Sequence, residues 1–388
     1  METTFMTTPR WRTLALFAAA LALVLPPADA APQPATTLPA PAASAARPIS
    51  AYVPKIRHVF VVNIENKGYD QTWGERSPAP YLANTLRRKG ALLNYYYGTA
   101  HNSQGNYVAQ VSGQGPNPQM QADCQTFSTF VQSGTADPGQ AVGTGCIFPK
   151  GVPSLASQLS SHHLGWKGYM EGMVRNCQHP KPDTRDDAQQ ATADHMYATR
   201  HNPFVYFQSV IGRPAYCKRH VVKLSALDHD LAKVKRTPNL VYITPDLCND
   251  GHDEPCADGR PGGLVSVNRW MKSWVPRILR SPAFKRDGVL VITADESDGP
   301  QSDSSACCGE GPSTNSPMPG INGLGGGLVG ALVISRFTKP NSWSTTPYNH
   351  YSLLGSIEEI FRLDKLGYAR TEGLDTFGLD VYNSGWNE

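Results

Sequence analysis

Past its first thirty residues the chain has no apolar run approaching the roughly eighteen residues of a membrane-spanning helix, so no integral span is expected in the mature protein. It also lacks charge of one dominant sign. Its 35 lysines and arginines nearly balance 32 aspartates and glutamates, and the basic residues are scattered rather than striped, so nucleic acid is not an expected partner. The 8 cysteines form no paired C-x2-C units, which argues against thiolate-held zinc. No internal repeat is apparent.

Two sharper motifs also fail. Gly325-Gly-Gly-Leu-Val-Gly330 has the G-x-G-x-x-G spacing but leads into a strand instead of leaving one for a helix, so it is not a dinucleotide cradle. Asp246-Leu-Cys-Asn-Asp-Gly251 opens like a calcium loop, yet Cys248 fills a ligand position and Ala257 stands where the bidentate glutamate belongs.

What is present suits an exported globular enzyme. With 388 residues, 40% hydrophobic and 17% charged, the chain is long enough to bury a sizeable core. Met1 to Ala30 reads as a signal peptide: Arg10 and Arg12, then the apolar stretch Leu14 to Leu25, then Ala28-Asp-Ala30 as a cleavage site. Residues 31–50 are rich in Ala, Pro, Thr and Ser and read as a linker. Residues 51–388 form the expected domain, with an insertion at about 114–149 rich in Gly, Pro, Gln and Ser. A secreted or periplasmic location makes disulfides the expected state of the cysteines, with Cys124–Cys146 and Cys248–Cys256 as local pairs. The adjacent Cys307 and Cys308 are expected to have different partners, because joining neighbours strains the backbone.

The order of elements predicts an α/β fold with a doubly wound, mainly parallel sheet. Strands are expected at Ile56 to Ile64, Ala91 to Tyr97, Trp166 to Met170, Phe204 to Ser209, Asn239 to Thr244, Gly288 to Ala294 and Leu328 to Ser335. Helices are expected at Leu82 to Lys89, Tyr107 to Val111, Leu155 to Leu159, Asp183 to Ala193, Leu227 to Val234, Leu264 to Leu279 and His350 to Phe361.

Polar residues recur at the ends of these strands. Glu65 and Asn66 follow the first, His101 to Asn106 the second, Asp246 with Asp250, His252 and Asp253 a later one, and Asp295-Glu296 another. Ligands of open α/β sheets bind beyond the carboxyl ends of strands, so these groups belong at one edge. Ser103, between a strand end and a helix start, fits either an N-cap or a nucleophile for an anionic group held at that helix start. Carboxylates gathered there repel unless a cation separates them, so Glu65, Asp295 and Glu296 beside Ser103 call for one divalent metal. Asn66 can add its carbonyl, and the oxygen-rich set favours Mg, Ca or Mn over Zn. His252 and His350 supply nitrogen for a second metal or for protonating a leaving group.

Taken in order, Ile64-Glu-Asn66, His101-Asn-Ser-Gln-Gly-Asn-Tyr107 with Ser112-Gly113, Thr244-Pro-Asp246 with Asp250-Gly-His-Asp253, Thr293-Ala-Asp-Glu296 and Asn349-His-Tyr-Ser-Leu-Leu354 carry a wider resemblance. The chain resembles the phosphoesterase family of bacterial acid phosphatases and phospholipases C, within the alkaline-phosphatase-like superfamily. It is most similar there to secreted acid phosphatases of the phosphatidylinositol-3-phosphatase type. The resemblance implies an alkaline-phosphatase-like sheet with cap insertions, and attack on phosphorus by Ser103. It also implies metal ligation by Glu65, Asn66, Ser103, Asp295 and Glu296, phosphoryl contact by Asn106 and a site-lining His101. Asp246, His252 and His350 match either ligands of a second metal or a leaving-group acid. Asp295-Glu296 stands where two-zinc relatives carry Asp-His, which points to a single metal or to weak metal dependence.

The function expected is hydrolysis of phosphate monoesters, phosphoinositides among them, through a covalent phosphoserine, with no more than transient contact with a lipid substrate. A phospholipase C-type diesterase uses the same residues, and a non-catalytic exported binding protein uses the same scaffold. The oligomeric state is left open.

Overall fold

The computed structural model describes residues 53–384, so the signal peptide and the linker up to residue 50 lie outside the described residues. Eight strands form one mixed sheet: β1 His58–Ile64, β2 Ala91–Leu93, β3 Trp166–Met170, β4 Val221–Lys223, β5 Leu240–Thr244, β6 Gly288–Ala294, β7 Ala331–Ser335 and β8 Ser342–Ser344. Their spatial order is β8-β2-β7-β6-β1-β5-β3-β4. All pairings are parallel except those of β7, which runs antiparallel to both β2 and β6. β1, β5, β6 and β7 are buried at every residue. Successive side chains point to opposite faces, so unbroken burial means that both faces of the sheet centre are covered, as the apolar runs of those strands require.

Three helices are the longest among the described residues. α1, Ser103–Ser112, is buried at every residue and ends on Gly113, whose φ of 67° allows a left-handed cap that a side chain would strain. α2, Gly263–Arg280, turns an apolar face with Leu264, Val267, Trp270, Met271, Val275 and Ile278 to the core. α3, His350–Phe361, starts where the Asn349 side chain accepts from Ser352 N at 2.8 Å. Among the described residues no helix is long and apolar enough to cross a membrane.

Several local expectations differ from the structure. Residues 183–193 form turns, not a helix. Asp183 bonds Thr129 from both carboxylate oxygens, and Asp186 accepts from Ala188 N, Thr199 and Gln189, so short acidic side chains outcompete helical bonding. The run from Phe204 is no strand. Pro203 begins a 3-10 turn to Tyr206 and a short helix follows over Gln208–Ile211, leaving one bridge from Phe148 to Phe207. Four consecutive buried side chains there mimic a core strand in sequence.

Ala91 to Tyr97 divides into β2 and a separate short strand, Tyr96–Tyr97, which pairs with Tyr348–Asn349. The 114–149 segment contains a hairpin of Val131–Ala136 and Gln140–Thr144. Disulfides join Cys124–Cys146, Cys177–Cys217 and Cys248–Cys256, and also the adjacent Cys307–Cys308, contrary to the expectation that those two have separate partners. The wide loop between β6 and β7 offers neither of the two a third thiol, since the other six cysteines are paired elsewhere.

Candidate active site

The register of two parallel strands builds the centre. Ile64 at the end of β1 pairs with Ala294 at the end of β6, so Glu65-Asn66 and Asp295-Glu296 leave the sheet side by side. Asp295 N donates to Ile64 O at 3.0 Å and Lys67 N to Glu296 O at 3.1 Å, extending the contact past the strands. Asn66 takes φ of 52°, a left-handed turn that suits asparagine, and its N–H donates to Asp295 Oδ1 at 3.1 Å.

Ser103 comes to this edge at the first position of α1. Asn102 is the N-cap residue in extended conformation, so the serine hydroxyl does not cap the helix. It donates to Glu65 Oε2 at 3.0 Å, and the Tyr107 hydroxyl, one turn along α1, donates to Glu65 Oε1. Ser103, Glu65, Asp295 and Glu296 are all buried.

Crowded acids in a dry site hold protons more tightly. Burial pushes the Glu65 carboxyl well above its usual range, reinforced by Asp295 and Asp250 and opposed by Tyr107 and Arg200. Burial and the neighbouring Asp295 do the same to Glu296. Asp295 rises to about 6 through burial, held down by the N–H groups of Asn66 and Glu296 and by the nearby Glu65 and Ser103 side chains. Two buried oxygens, Asn66 Oδ1 and Asp295 Oδ2, have no hydrogen-bond partner among the described residues. Buried acceptors without donors are what a cation site looks like before a cation is considered, so these residues fit a divalent metal.

The remaining expected residues fall in different places. His101 is buried at the cluster, with Nδ1 in contact with Glu296 Oε2 and Nε2 3.0 Å from Asp303 O; burial lowers its pKa. Asn106 faces backward. Its Oδ1 accepts from Thr99 N at 2.8 Å and Ala100 N at 2.9 Å, and its Nδ2 donates to Ala100 O at 2.8 Å, so it shapes the turn that delivers Ser103. His350 lies beneath the acids with both ring nitrogens engaged, by Tyr96 and Gln110 on one side and Asp295 O on the other. Asp246 accepts from Asn249 N at 2.9 Å and Cys248 N at 3.2 Å and so closes its own loop. His252 is 29% exposed and faces Asp253 and Arg200.

In place of Asp246 and His252, the structure sets Asp250 and His201 against Glu65. His201 Nε2 is 3.4 Å from Glu65 Oε2 and Nδ1 is 3.2 Å from Asp250 Oδ2, with the ring stacked on Tyr107. Glu65, His201 and Asp250 can each offer a ligand atom within 4.8 Å of the others. Burial and the adjacent Arg200 hold the His201 pKa well below its usual value, leaving a neutral ring that can donate a lone pair. His201 lies in the 3-10 turn Thr199–His201, with no periodic pattern around it to mark it in sequence.

A serine hydroxyl, a carboxylate cluster and unpartnered oxygens at the carboxyl edge of a mainly parallel α/β sheet define a serine–carboxylate centre. The phosphoesterase family profile matches residues 75–364, and the chain belongs to that family. An acid phosphatase of Aspergillus fumigatus is 24% identical over 331 residues, covering 84% of this chain and 60% of that protein. The chain thus spans about three fifths of the length of that relative. A phosphatidylinositol-3-phosphatase of Mycobacterium tuberculosis is 25% identical over 317 residues, covering 82% of this chain and 81% of that protein. A crystal structure of a protein in the alkaline phosphatase superfamily from Vibrio parahaemolyticus superposes with a TM-score of 0.49 at 11% identity, over 81% of this chain and 68% of that one.

Proposed function

We propose that the protein is a phosphomonoesterase of the acid phosphatase kind that works through a phosphoserine at Ser103. The observation that carries this reading is the buried Ser103 hydroxyl at the start of α1, hydrogen-bonded to Glu65 Oε2 at 3.0 Å. The names of the relatives support it, since an acid phosphatase and a phosphatidylinositol-3-phosphatase are among them. A phosphoinositide headgroup is therefore a substrate of the proposed class.

Ser103 Oγ attacks phosphorus, its proton passing to Glu65 Oε2, while the bond from phosphorus to the ester oxygen breaks. The departing oxygen takes a proton from water. The hydroxide left by that water then attacks phosphorus, the Ser103 Oγ–P bond breaks, and Oγ takes back its proton from Glu65 as inorganic phosphate leaves. The N–H groups at the start of α1 face the developing negative charge. Glu65, Asn66, Ser103, Asp295 and Glu296 would hold a divalent ion, with Asp250 and His201 flanking Glu65 for a second. When bound, such an ion supplies Lewis-acid stabilisation of negative oxygen and eases ionisation of the serine.

Asn106 and His350 act by position in this reading: one shapes the turn before Ser103, the other supports Asp295. Export fits the signal-like first thirty residues and the four disulfides.

The test is turnover of the purified protein on a phosphomonoester, a phosphoinositide, a phosphodiester and phosphatidylcholine, with and without chelator. Monoester hydrolysis that chelation abolishes and Ser103→Ala lowers by about three orders of magnitude or more is expected. Near-normal turnover in S103A sinks the mechanism. Faster diester cleavage favours the phospholipase C-type reading, and no hydrolysis with any divalent ion favours a binding protein.

A further inference from the structure

Arg200 is the only arginine counted as buried among the described residues, with its side chain 4% exposed. A guanidinium has five N–H donors, and here neutral groups take three of them. Nη1 donates to the main-chain oxygen of Gln189 and, at 3.4 Å, to its Oε1, while Nη2 donates to His252 Nε2 at 2.9 Å. His252 in turn directs Nδ1 to Asp253 Oδ1 at 2.7 Å, which fixes the ring as an acceptor toward Arg200.

The Nε edge is different. Nε is buried without a hydrogen bond, and Asp123 Oδ2 stands 3.6 Å from it, beyond bonding reach. That edge, Nε with the second Nη2 hydrogen, is the one that grips two oxygens of a carboxylate or phosphate side by side. A buried cation whose nearest carboxylate stands at ion-pair distance without a hydrogen bond is incompletely satisfied, which leaves that edge able to take an oxyanion.

This edge faces Asp123, which also reaches the helix that carries the serine. The other oxygen of Asp123, Oδ1, accepts from Gln104 N at 3.1 Å, the peptide N–H directly after Ser103. Asp123 therefore lies between the two donors that a tetrahedral anion on Ser103 would use, the N–H after the nucleophile and the free guanidinium edge. The Arg200 charge also lowers the pKa of Glu65, Asp250, Glu296 and Asp123, which puts its field on the whole cluster.

We propose that Arg200 binds the phosphoryl group through its Nε and Nη2 edge, in competition with Asp123, whose carboxylate bonds Gln104 N and faces that edge. This rests on the reading of the Ser103 centre as a phosphatase. His252 then serves as a positioning residue for Arg200 and not as a proton donor, since its Nε2 is occupied as an acceptor.

The experiment measures inorganic phosphate in two ways, as a competitive inhibitor of monoester hydrolysis and through the rise it causes in melting temperature. Metal content is determined alongside for wild type, Arg200→Lys, Arg200→Gln and Asp123→Asn. Loss of a charge-assisted contact predicts phosphate affinity weaker by about 10- to 100-fold in R200K and R200Q, with KM following and metal content unchanged. D123N is expected to bind phosphate as tightly as wild type or more tightly, because a competing anion is gone. Wild-type phosphate affinity in R200K overturns the proposal even where R200Q does not fold. So does loss of metal in step with loss of phosphate, or weaker phosphate binding in D123N. If wild type hydrolyses no ester, the catalytic reading fails by itself, and the melting shift still decides whether Arg200 binds phosphate.

Discussion

His350 Nε2 lies 2.5 Å from the main-chain oxygen of Asp295, and the opposite ring nitrogen lies 3.0 Å from the Tyr96 hydroxyl. The ring is a strut between α3 and the acid pair. Complete burial lowers its pKa to about 4, so it stays neutral across ordinary assay conditions. His350→Ala should cost about 2–4 kcal/mol of stability through a cavity and unpaired groups. Turnover should fall while the pH–rate profile keeps its shape. A variant that melts normally but loses the basic limb of that profile would make His350 a proton donor instead.

Removing ligands should be legible in metal binding directly. Asp295→Asn and Glu65→Gln each take a charge from the proposed cation site, and titration calorimetry with Mn, Mg or Ca is expected to show at least about tenfold weaker binding for either. In wild type, metal at about 100 times its Kd should add roughly 2.7 kcal/mol of stability. Equal affinity in wild type and both variants counts against metal ligation by these residues.

Glu310 gives the fold a pH dependence of its own. Burial pushes its carboxyl up to about 8 from 4.5, against opposing bonds from Cys307 N and Asn349. The folded state therefore holds this proton where the unfolded chain releases it. Its contribution is full below about pH 4.5 and is lost as pH rises through about 8. Denaturant unfolding should show a decline on the order of 4–5 kcal/mol across that window, flattened in Glu310→Gln. An unchanged slope in E310Q would assign the dependence to other groups.

The Cys124–Cys146 disulfide closes a separation of 22 residues and anchors Asp123, its immediate neighbour. Replacing both cysteines with serine should cost about 3 kcal/mol by loop entropy. Because Asp123 then loses its anchor, inorganic phosphate should compete differently with substrate as well. A stability loss with unaltered phosphate inhibition would separate the disulfide from the site.

Much of the sheet centre was legible because β1, β5 and β6 are short runs rich in β-branched and other apolar residues, the pattern of strands covered on both faces. Trp166–Met170, Gly288–Ala294 and His350–Phe361 occupy the bounds expected of them. The 204–209 segment did not, since a buried aromatic run after a proline carries the same pattern as a strand. Cys307 and Cys308 pair with each other because the other six cysteines are paired elsewhere, a tertiary fact that local backbone strain does not reveal. Glu65, Asn66, Ser103, Asp295 and Glu296 drew notice by standing at strand and helix ends. His201 and Arg200 stand at no such place, in a short turn between irregular segments.

The sequence alone determined that a parallel α/β sheet would form and that acids and a serine would gather at its carboxyl edge, because periodicity and strand ends are local properties. Only the tertiary structure decided which of those groups meet. The pairing of Ile64 with Ala294 sets Glu65 beside Asp295, and the packing of the 199–201 turn on α1 brings His201 to Glu65 and leaves an edge of Arg200 free. The polar atoms of Asn106 and His350 are engaged by main chain and neighbouring side chains, and the proposed mechanism accordingly gives both supporting roles. Side-chain direction depends on contacts between distant segments, and no local pattern encodes it.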